Sequence, residues 1–199
     1  MTADTVGCSL LCVYCWNYTN NLSLKKGKFY SPEQVASKML ALGTKNHCHT
    51  FRLSGAEAIL GENSFNHLLK VIGILVKEDS DARFIVETNG IMLGYDGTFA
   101  ERLSGSVGDR IVVRISIKGT NEEHFQKLTG ADGCGLNYQQ MALCNLHSNG
   151  IDYNLAFIPN FFTTPDIESL GDLLEGAEVE QLRYYAGTKK RLQDAGLVD

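Results

Sequence analysis

Ile111-Val-Val-Arg-Ile-Ser-Ile-Lys118 is the most β-like run in the chain, and its two faces decide the fold. Successive side chains of a strand alternate, so Val113, Ile115 and Ile117 point one way while Arg114, Ser116 and Lys118 point the other. The apolar set belongs under covering helices, which leaves the charged set facing inward. Arg52 and Ser54 oppose Phe51 and Leu53 in the same fashion, and Glu87 and Asn89 oppose Val86 and Thr88. A parallel sheet buried on both faces reads as a continuous hydrophobic run, and these strands do not. Unpaired buried charge is expensive. The polar stripe is therefore either a self-satisfied ion-pair network, such as Arg52 with Glu87, or the lining of a lumen that holds a sizeable ligand.

Outward from this run, strands alternate with helices. Strand patterns cover 49–53, 83–88, 111–117, 153–158 and 181–185, with a short first strand within 2–6. Ser31-Pro32-Glu33 opens a helix with a cap and a first-turn proline, and Gly43 is the expected stop. Residues 62–76 carry Phe65, Leu68, Leu69, Ile72, Leu75 and Val76 at helical spacing. Asn89-Gly90 is a turn leading to a weaker helix at 98–103, and further helices are expected at 122–127, 136–148 and 165–174. Such alternation argues for parallel βαβ units. A complete eight-fold barrel takes about 250 residues. The 199 residues here suit about six units, so the expected fold is α/β: one domain over 1–199 forming an incomplete, open parallel β/α barrel.

Composition narrows the function classes. Hydrophobic residues make up 44% and charged residues 21%, a globular balance. The net charge of −5 and the lack of a basic run argue against nucleic acid or an anionic membrane as partner. The longest apolar stretch, 71–76, is too short to span a bilayer, and residues 1–7 lack the features of a secretory signal. The expected location is cytoplasmic.

Six cysteines stand at 8, 12, 15, 48, 134 and 144. Three crowd into Cys8-Ser-Leu-Leu-Cys12-Val-Tyr-Cys15, which signals shared ligation rather than cross-linking. Cys48, Cys134 and Cys144 read as small buried hydrophobes. Structural zinc wants four protein ligands, which His47 or His49 would have to complete. A cubane iron–sulfur cluster is usually held by four thiolates, so three would leave one iron open for chemistry. The glycines at 130, 133 and 135 form a plain loop, and Lys189-Lys190-Arg191 reads as a solvated helix face.

Cys8-x3-Cys12-x2-Cys15, with Tyr14 just before the last cysteine, resembles the defining loop of the radical S-adenosylmethionine superfamily. Leu53-Ser54-Gly55-Ala56-Glu57 resembles the family's glycine-glycine-glutamate segment after the second strand, and Glu87-Thr88-Asn89-Gly90 resembles the segment after the third. Ile117-Lys118-Gly119-Thr120-Asn121-Glu122-Glu123-His124, continuing to Leu128-Thr129-Gly130, looks like the fourth-strand region of glycyl-radical-enzyme activating enzymes. Two departures stand out. Ala56 and Ala58 occupy positions where the family often has glycine and proline, and Ser116 replaces the activases' aspartate. Only seven residues precede Cys8, so the first strand is very short or the chain starts within it.

The resemblance implies a [4Fe-4S] cluster on Cys8, Cys12 and Cys15, with S-adenosylmethionine bound at the fourth iron. One-electron cleavage would give methionine and a 5′-deoxyadenosyl radical that abstracts hydrogen from a substrate, an oxidoreductase chemistry of anaerobic settings. Ser54, Gly55, Ala56 and Glu57 would then meet the cofactor's ammonium, and Ser116 and Lys118 its ribose and carboxylate. Tyr14 and Ile158 would lie at the adenine and Asn89 at the ribose. The implied partners are a flavodoxin- or ferredoxin-like electron donor and a glycyl radical enzyme. A small-molecule or peptide substrate is the alternative within the superfamily. A non-catalytic iron–sulfur or zinc-binding module is the alternative outside it.

Overall fold

The computed structural model describes residues 1–185 and 187–198. Its elements run β1 (Thr2–Asp4), α1 (Tyr18–Asn21), α2 (Pro32–Lys45), β2 (Thr50–Ser54), α3 (Glu62–Glu78), β3 (Arg83–Thr88), α4 (Ile91–Tyr95), α5 (Thr98–Val107), β4 (Ile111–Ser116), α6 (Glu122–Thr129), α7 (Gly135–Ser148), β5 (Tyr153–Phe157), α8 (Thr164–Ser169), β6 (Glu178–Val179) and α9 (Thr188–Asp194). The six strands form one sheet in chain order, every neighbouring pair parallel. β1 and β6 are its two edges, so the barrel is open, as the chain length predicts.

The core lies between the sheet's outer face and the helices. Val86, Val113 and Ile115 are fully buried there, with Phe65, Leu68, Ile72 and Leu75 of α3. Each such side chain contributes about 1.5–3 kcal/mol on burial. Register Glu87–Arg114 puts the polar members of β3 and β4 side by side on the other face, and Ser116 of β4 lies beside Ala156 of β5. Close helix contact needs small residues: a Cβ on Gly94 of α4 would sit 1.8 Å from the Tyr138 carbonyl oxygen of α7.

Ser31 caps α2 as expected, its hydroxyl accepting from the Gln34 amide while the Gln34 side chain accepts from Ser31 N–H. Gly43 does not stop the helix. It lies buried within it, where a Cβ would come 2.8 Å from the Cys48 carbonyl and 3.1 Å from the Phe51 ring. Its role is close approach, which spacing alone does not distinguish from a cap. The weaker helix after Asn89-Gly90 is two helices, α4 and α5. The expected 165–174 helix is α8 followed by a short 3-10 turn.

The largest difference is the last strand. Residues 181–185 have the β-prone composition, yet the paired segment is Glu178–Val179, against Ala156 and Phe157. Charge explains the choice, because Arg114 holds Glu178 Oε2 at 2.7 Å and Glu180 Oε1 at 2.8 Å. That contact sets the strand three residues upstream of the expected start at 181. The three scattered cysteines also depart from expectation: Cys48 is half-buried, and Cys134 and Cys144 are exposed.

Candidate functional site

The cysteine loop, between β1 and α1, is stitched to α6. Leu11 N–H donates to the Thr129 carbonyl and Val13 N–H to that of Leu128, both at 2.9 Å. Within the loop, Cys15 N–H closes a turn on the Cys12 carbonyl at 2.9 Å. Leu10, Cys12, Phe125 and Leu136 form a small separate core beneath it, with Cys8, Tyr14 and Cys15 packed at its margin. Cys12 is buried, and Cys8 and Cys15 are half-buried.

A cavity of about 690 Å³ opens beside this loop, lined by Cys8, Cys12 and Cys15 and by all nine residues expected to contact the cofactor: Tyr14, Ser54, Gly55, Ala56, Glu57, Asn89, Ser116, Lys118 and Ile158. The strand ends bring them together. Gly55 carries φ +84, a left-handed conformation that suits glycine. Ala56 does not need it, since His47 is the sole non-glycine with positive φ among the described residues. The alanine is therefore compatible with the turn.

Glu57 is buried, and its carboxylate is already engaged. Oε1 accepts from Ile59 N–H at 2.9 Å and from the Thr88 hydroxyl at 2.8 Å, and Oε2 accepts from Asn89 N–H at 2.7 Å. Burial pushes its carboxyl above the usual range, while these donors pull it back. The side chain thus clamps the turn after β2 to the end of β3. The Ser54 carbonyl accepts from Thr5 N–H at 2.8 Å and from the Thr5 hydroxyl at 3.0 Å, and the Gly55 carbonyl accepts from the Asn17 amide at 2.5 Å. The Ser54 hydroxyl and the Ala56 carbonyl remain as the freer partners for a ligand cation. Asn89 is similarly tied: its side-chain amide donates to Ser9 Oγ at 3.2 Å and to Cys8 Sγ at 3.8 Å, and its Oδ1 accepts from Ile91 N–H. It bridges the third strand to the cysteine loop.

Lys118 extends from the end of β4 to lie 5.3 Å from the centroid of the Tyr14 ring, and Tyr14 stacks on Phe161 at 5.0 Å. Burial drives the Tyr14 hydroxyl well above its ordinary range, so it stays neutral. Lys118 takes part in none of the ion pairs among the described residues. A half-buried cation without a paired carboxylate, facing the cavity, favours an anionic group there.

Along the wall of the same cavity, the ion-pair network and the lumen prove to be one feature. Arg52 meets Glu87 at 3.0 Å, Arg114 lies 3.6 Å from Glu87, and Arg114 reaches on to Glu178 and Glu180. Arg52, Glu87, Arg114 and Glu180 all line the cavity wall. Pairing satisfies the charges, and the open wall keeps them available to a ligand.

Three residues escaped the sequence reading. Gln139 of α7 is buried; its amide donates to the carbonyls of Asn89 at 2.7 Å and Ser116 at 2.9 Å, and its Oε1 accepts from Lys118 N–H at 3.1 Å. It locks together the ends of β3 and β4, and a glutamine on a buried helix face was the only signal. Asn21 donates to Cys15 Sγ at 3.5 Å while its Oδ1 is buried without a partner. Arg191, expected on a solvated face, instead donates to the cysteine loop.

The donor set fits an iron–sulfur cluster better than a single ion. Zinc–sulfur bonds of about 2.3 Å in a tetrahedron put sulfurs about 3.8 Å apart. Among the described residues, the group of possible ion ligands lying within 4.8 Å of one another is His49, Asp79 and Asp81, and the three cysteines are not such a group. His49 instead pairs with Asp79 at 2.8 Å, which raises its imidazole above the ordinary range. Burial pushes the free Cys8 thiol up to about 11, with Leu10 N–H opposing, and raises that of Cys12. Cluster loading must displace those protons.

No helix of the described residues is long and apolar enough to cross a membrane. Among curated proteins, none matches the chain by sequence. Solved structures share its fold at low identity. Native anSMEcpe with bound AdoMet superimposes with a TM-score of 0.62 at 19% identity, over 87% of this chain and 49% of that one. SuiB of Streptococcus suis bound to S-adenosylmethionine gives 0.66 at 14% identity, over 97% and 45%. Spore photoproduct lyase complexed with dinucleoside spore photoproduct gives 0.70 at 14% identity, over 96% and 58%. The chain thus spans about half the length of these neighbours. The sequence model of the radical SAM superfamily matches residues 3–174, a stretch that holds the cysteine loop, β2 to β5 and all of β1 but its first residue. The chain belongs to the radical SAM superfamily, whose members use a [4Fe-4S] cluster and S-adenosylmethionine.

Proposed function

We propose that this chain is a radical enzyme that cleaves S-adenosylmethionine in the cavity beside Cys8, Cys12 and Cys15. One observation carries the reading: twelve residues picked from separate stretches of sequence converge on a single cavity. When bound, the reduced cluster supplies the electron that splits the sulfonium and yields a 5′-deoxyadenosyl radical. The chain's own residues bind and orient. The Ser54 hydroxyl and the Ala56 carbonyl receive the cofactor's ammonium, Lys118 its carboxylate and Ser116 its sugar. Tyr14 and Ile158 flank the adenine. Glu57 and Asn89 hold the surrounding turns.

For the substrate, our first reading is a main-chain glycine of a partner glycyl radical enzyme. It is supported by the segment from Ile117 to Gly130, whose likeness to the activases was noted in sequence and whose Leu128 and Thr129 carbonyls brace the cysteine loop. The electron donor is a flavodoxin- or ferredoxin-like protein. Between Asp4 and Glu33 the chain has no acidic residue, yet it carries Lys25, Lys26 and Lys28. In a chain of net charge −5, these three lysines, which follow the cluster loop in sequence, favour an acidic donor.

Low-temperature electron paramagnetic resonance on the reconstituted, dithionite-reduced chain tests the reading. The expected result is a [4Fe-4S]⁺ signal whose shape changes on adding S-adenosylmethionine, together with release of 5′-deoxyadenosine. A cluster signal indifferent to the cofactor would overturn catalysis in favour of an electron carrier. With a glycyl radical enzyme added, a persistent carbon-centred doublet is expected. Turnover of a peptide or small molecule without that doublet would replace the activase reading.

Lys118→Ala gives an independent check. Losing a charge-assisted contact removes about 1.5–3 kcal/mol. The expected loss in S-adenosylmethionine affinity, read by equilibrium binding, is about tenfold to a hundredfold, with iron content intact. Unchanged affinity would remove Lys118 from the site.

A further inference from the structure

We propose that Arg191 of α9 is a positioning residue for the cluster loop and holds a fixed positive charge against it that favours the reduced cluster. Its Nε donates to the Val13 carbonyl at 3.0 Å, and one terminal nitrogen donates to the Cys15 carbonyl at 2.8 Å and to the Thr188 hydroxyl at 3.2 Å. The guanidinium also lies over the Tyr18 ring, 4.2 Å from its centroid. Three of these contacts tie the side chain to the loop carrying the last thiolate and to the short helix after it, and the fourth, to Thr188, braces it within α9.

The loop leaves these carbonyls for Arg191. Val13 N–H goes to Leu128 on α6, and Cys15 N–H goes back to Cys12. The loop is thereby gripped from two sides: by α6 through its N–H groups and by α9 through its C=O groups. The donor comes from 176 residues downstream of Cys15, so only tertiary folding delivers it. α9 is seated to do so. Thr188 and Leu192 are fully buried, whereas Lys190 on the outer face pairs with Asp194 at 2.8 Å. Gly187 at φ +77 turns the chain into the helix, and a Cβ there would come 3.2 Å from an Arg191 nitrogen.

Charge is the second half of the argument. Arg191 joins none of the ion pairs among the described residues, so no carboxylate offsets it. Adding an electron makes the cluster and its thiolates one unit more negative, and a neighbouring cation stabilises that state more than the oxidised one. The planar fork of arginine reaches two carbonyls at once, which a lysine ammonium on a flexible stem does not reproduce.

The inference rests on the cluster assignment, and the test separates the two. The full chain, R191K and R191Q are reconstituted and assayed for iron and sulfide, for midpoint potential by a resonance-monitored redox titration, and for the rate of iron loss to a chelator. Unfolding of the metal-free proteins monitors the fold. In R191Q the reduction equilibrium is expected to fall about tenfold, a shift of about 59 mV to more negative potential for a one-electron couple. R191K is expected to keep the unmodified chain's potential while losing iron several-fold faster. A loaded R191Q with an unchanged potential would overturn the charge role. If R191Q fails to hold iron, R191K decides: a tenfold loss in its reduction equilibrium, or iron loss as slow as in the unmodified chain, would overturn the proposal. An unmodified chain that takes up no iron would sink the cluster assignment itself.

Discussion

Cys12→Ala leaves the reconstituted protein without a cluster, its iron content falling from about four per chain to near zero, while Cys144→Ala keeps the full complement. Cys12 is the buried member of the triplet, packed with Leu10, Phe125 and Leu136 under the loop. With three thiolates the site has none to spare, so losing one leaves two irons of the cubane without protein ligands. Cys134 and Cys144 are exposed on or beside α7 and line no part of the cavity. They are controls for nonspecific iron uptake. Iron and sulfide analysis with the visible absorbance of the cluster reads the result, and equal losses in the two variants would remove the triplet from the metal site.

Glu57→Ala lowers the stability of the metal-free protein by about 4 kcal/mol. The substitution leaves the Ile59 and Asn89 amides and the Thr88 hydroxyl buried without their acceptor. Each such orphan costs about 1–3 kcal/mol. For a chain of this length the thermal midpoint drops by about 8–16 °C. S-adenosylmethionine binding falls as well, because the turn at Ser54 to Ala56 is no longer tied to β3. Glu57→Gln, which keeps the shape but sets one amide donor against another, falls between. Calorimetry on the three proteins checks this, and a Glu57→Ala midpoint within about 2 °C of the unmodified chain, less than 1 kcal/mol for this length, would return the carboxylate to the ligand.

The polar stripe read from Arg114, Ser116 and Lys118 carried more than its alternation implied. Alternation says which side chains share a face, but not what neighbouring strands bring to it. The sheet register set Glu87 beside Arg114, and the fold of β6 added Glu178 and Glu180. A network and a ligand cavity, alternatives in one dimension, became the same wall in three. Glu57 shows the opposite case. Its place in the motif pointed at the cofactor, while three donors claim its carboxylate, because the end of β3 approaches where local sequence gives no hint.

By itself the sequence determined the parallel alternation, the apolar and polar faces of the strands, the cysteine triplet and the family it signals. These are properties of period and spacing, and both survive without knowledge of neighbours. Tertiary structure alone decided the register of β6, the work of Gly43, the amide lock of Gln139 and the grip of Arg191 on Val13 and Cys15. Each depends on a partner far along the chain. A buried donor or charge commits to whichever acceptor the packed elements bring within about 3 Å, and that choice is made only when the sheet and helices close around the loop.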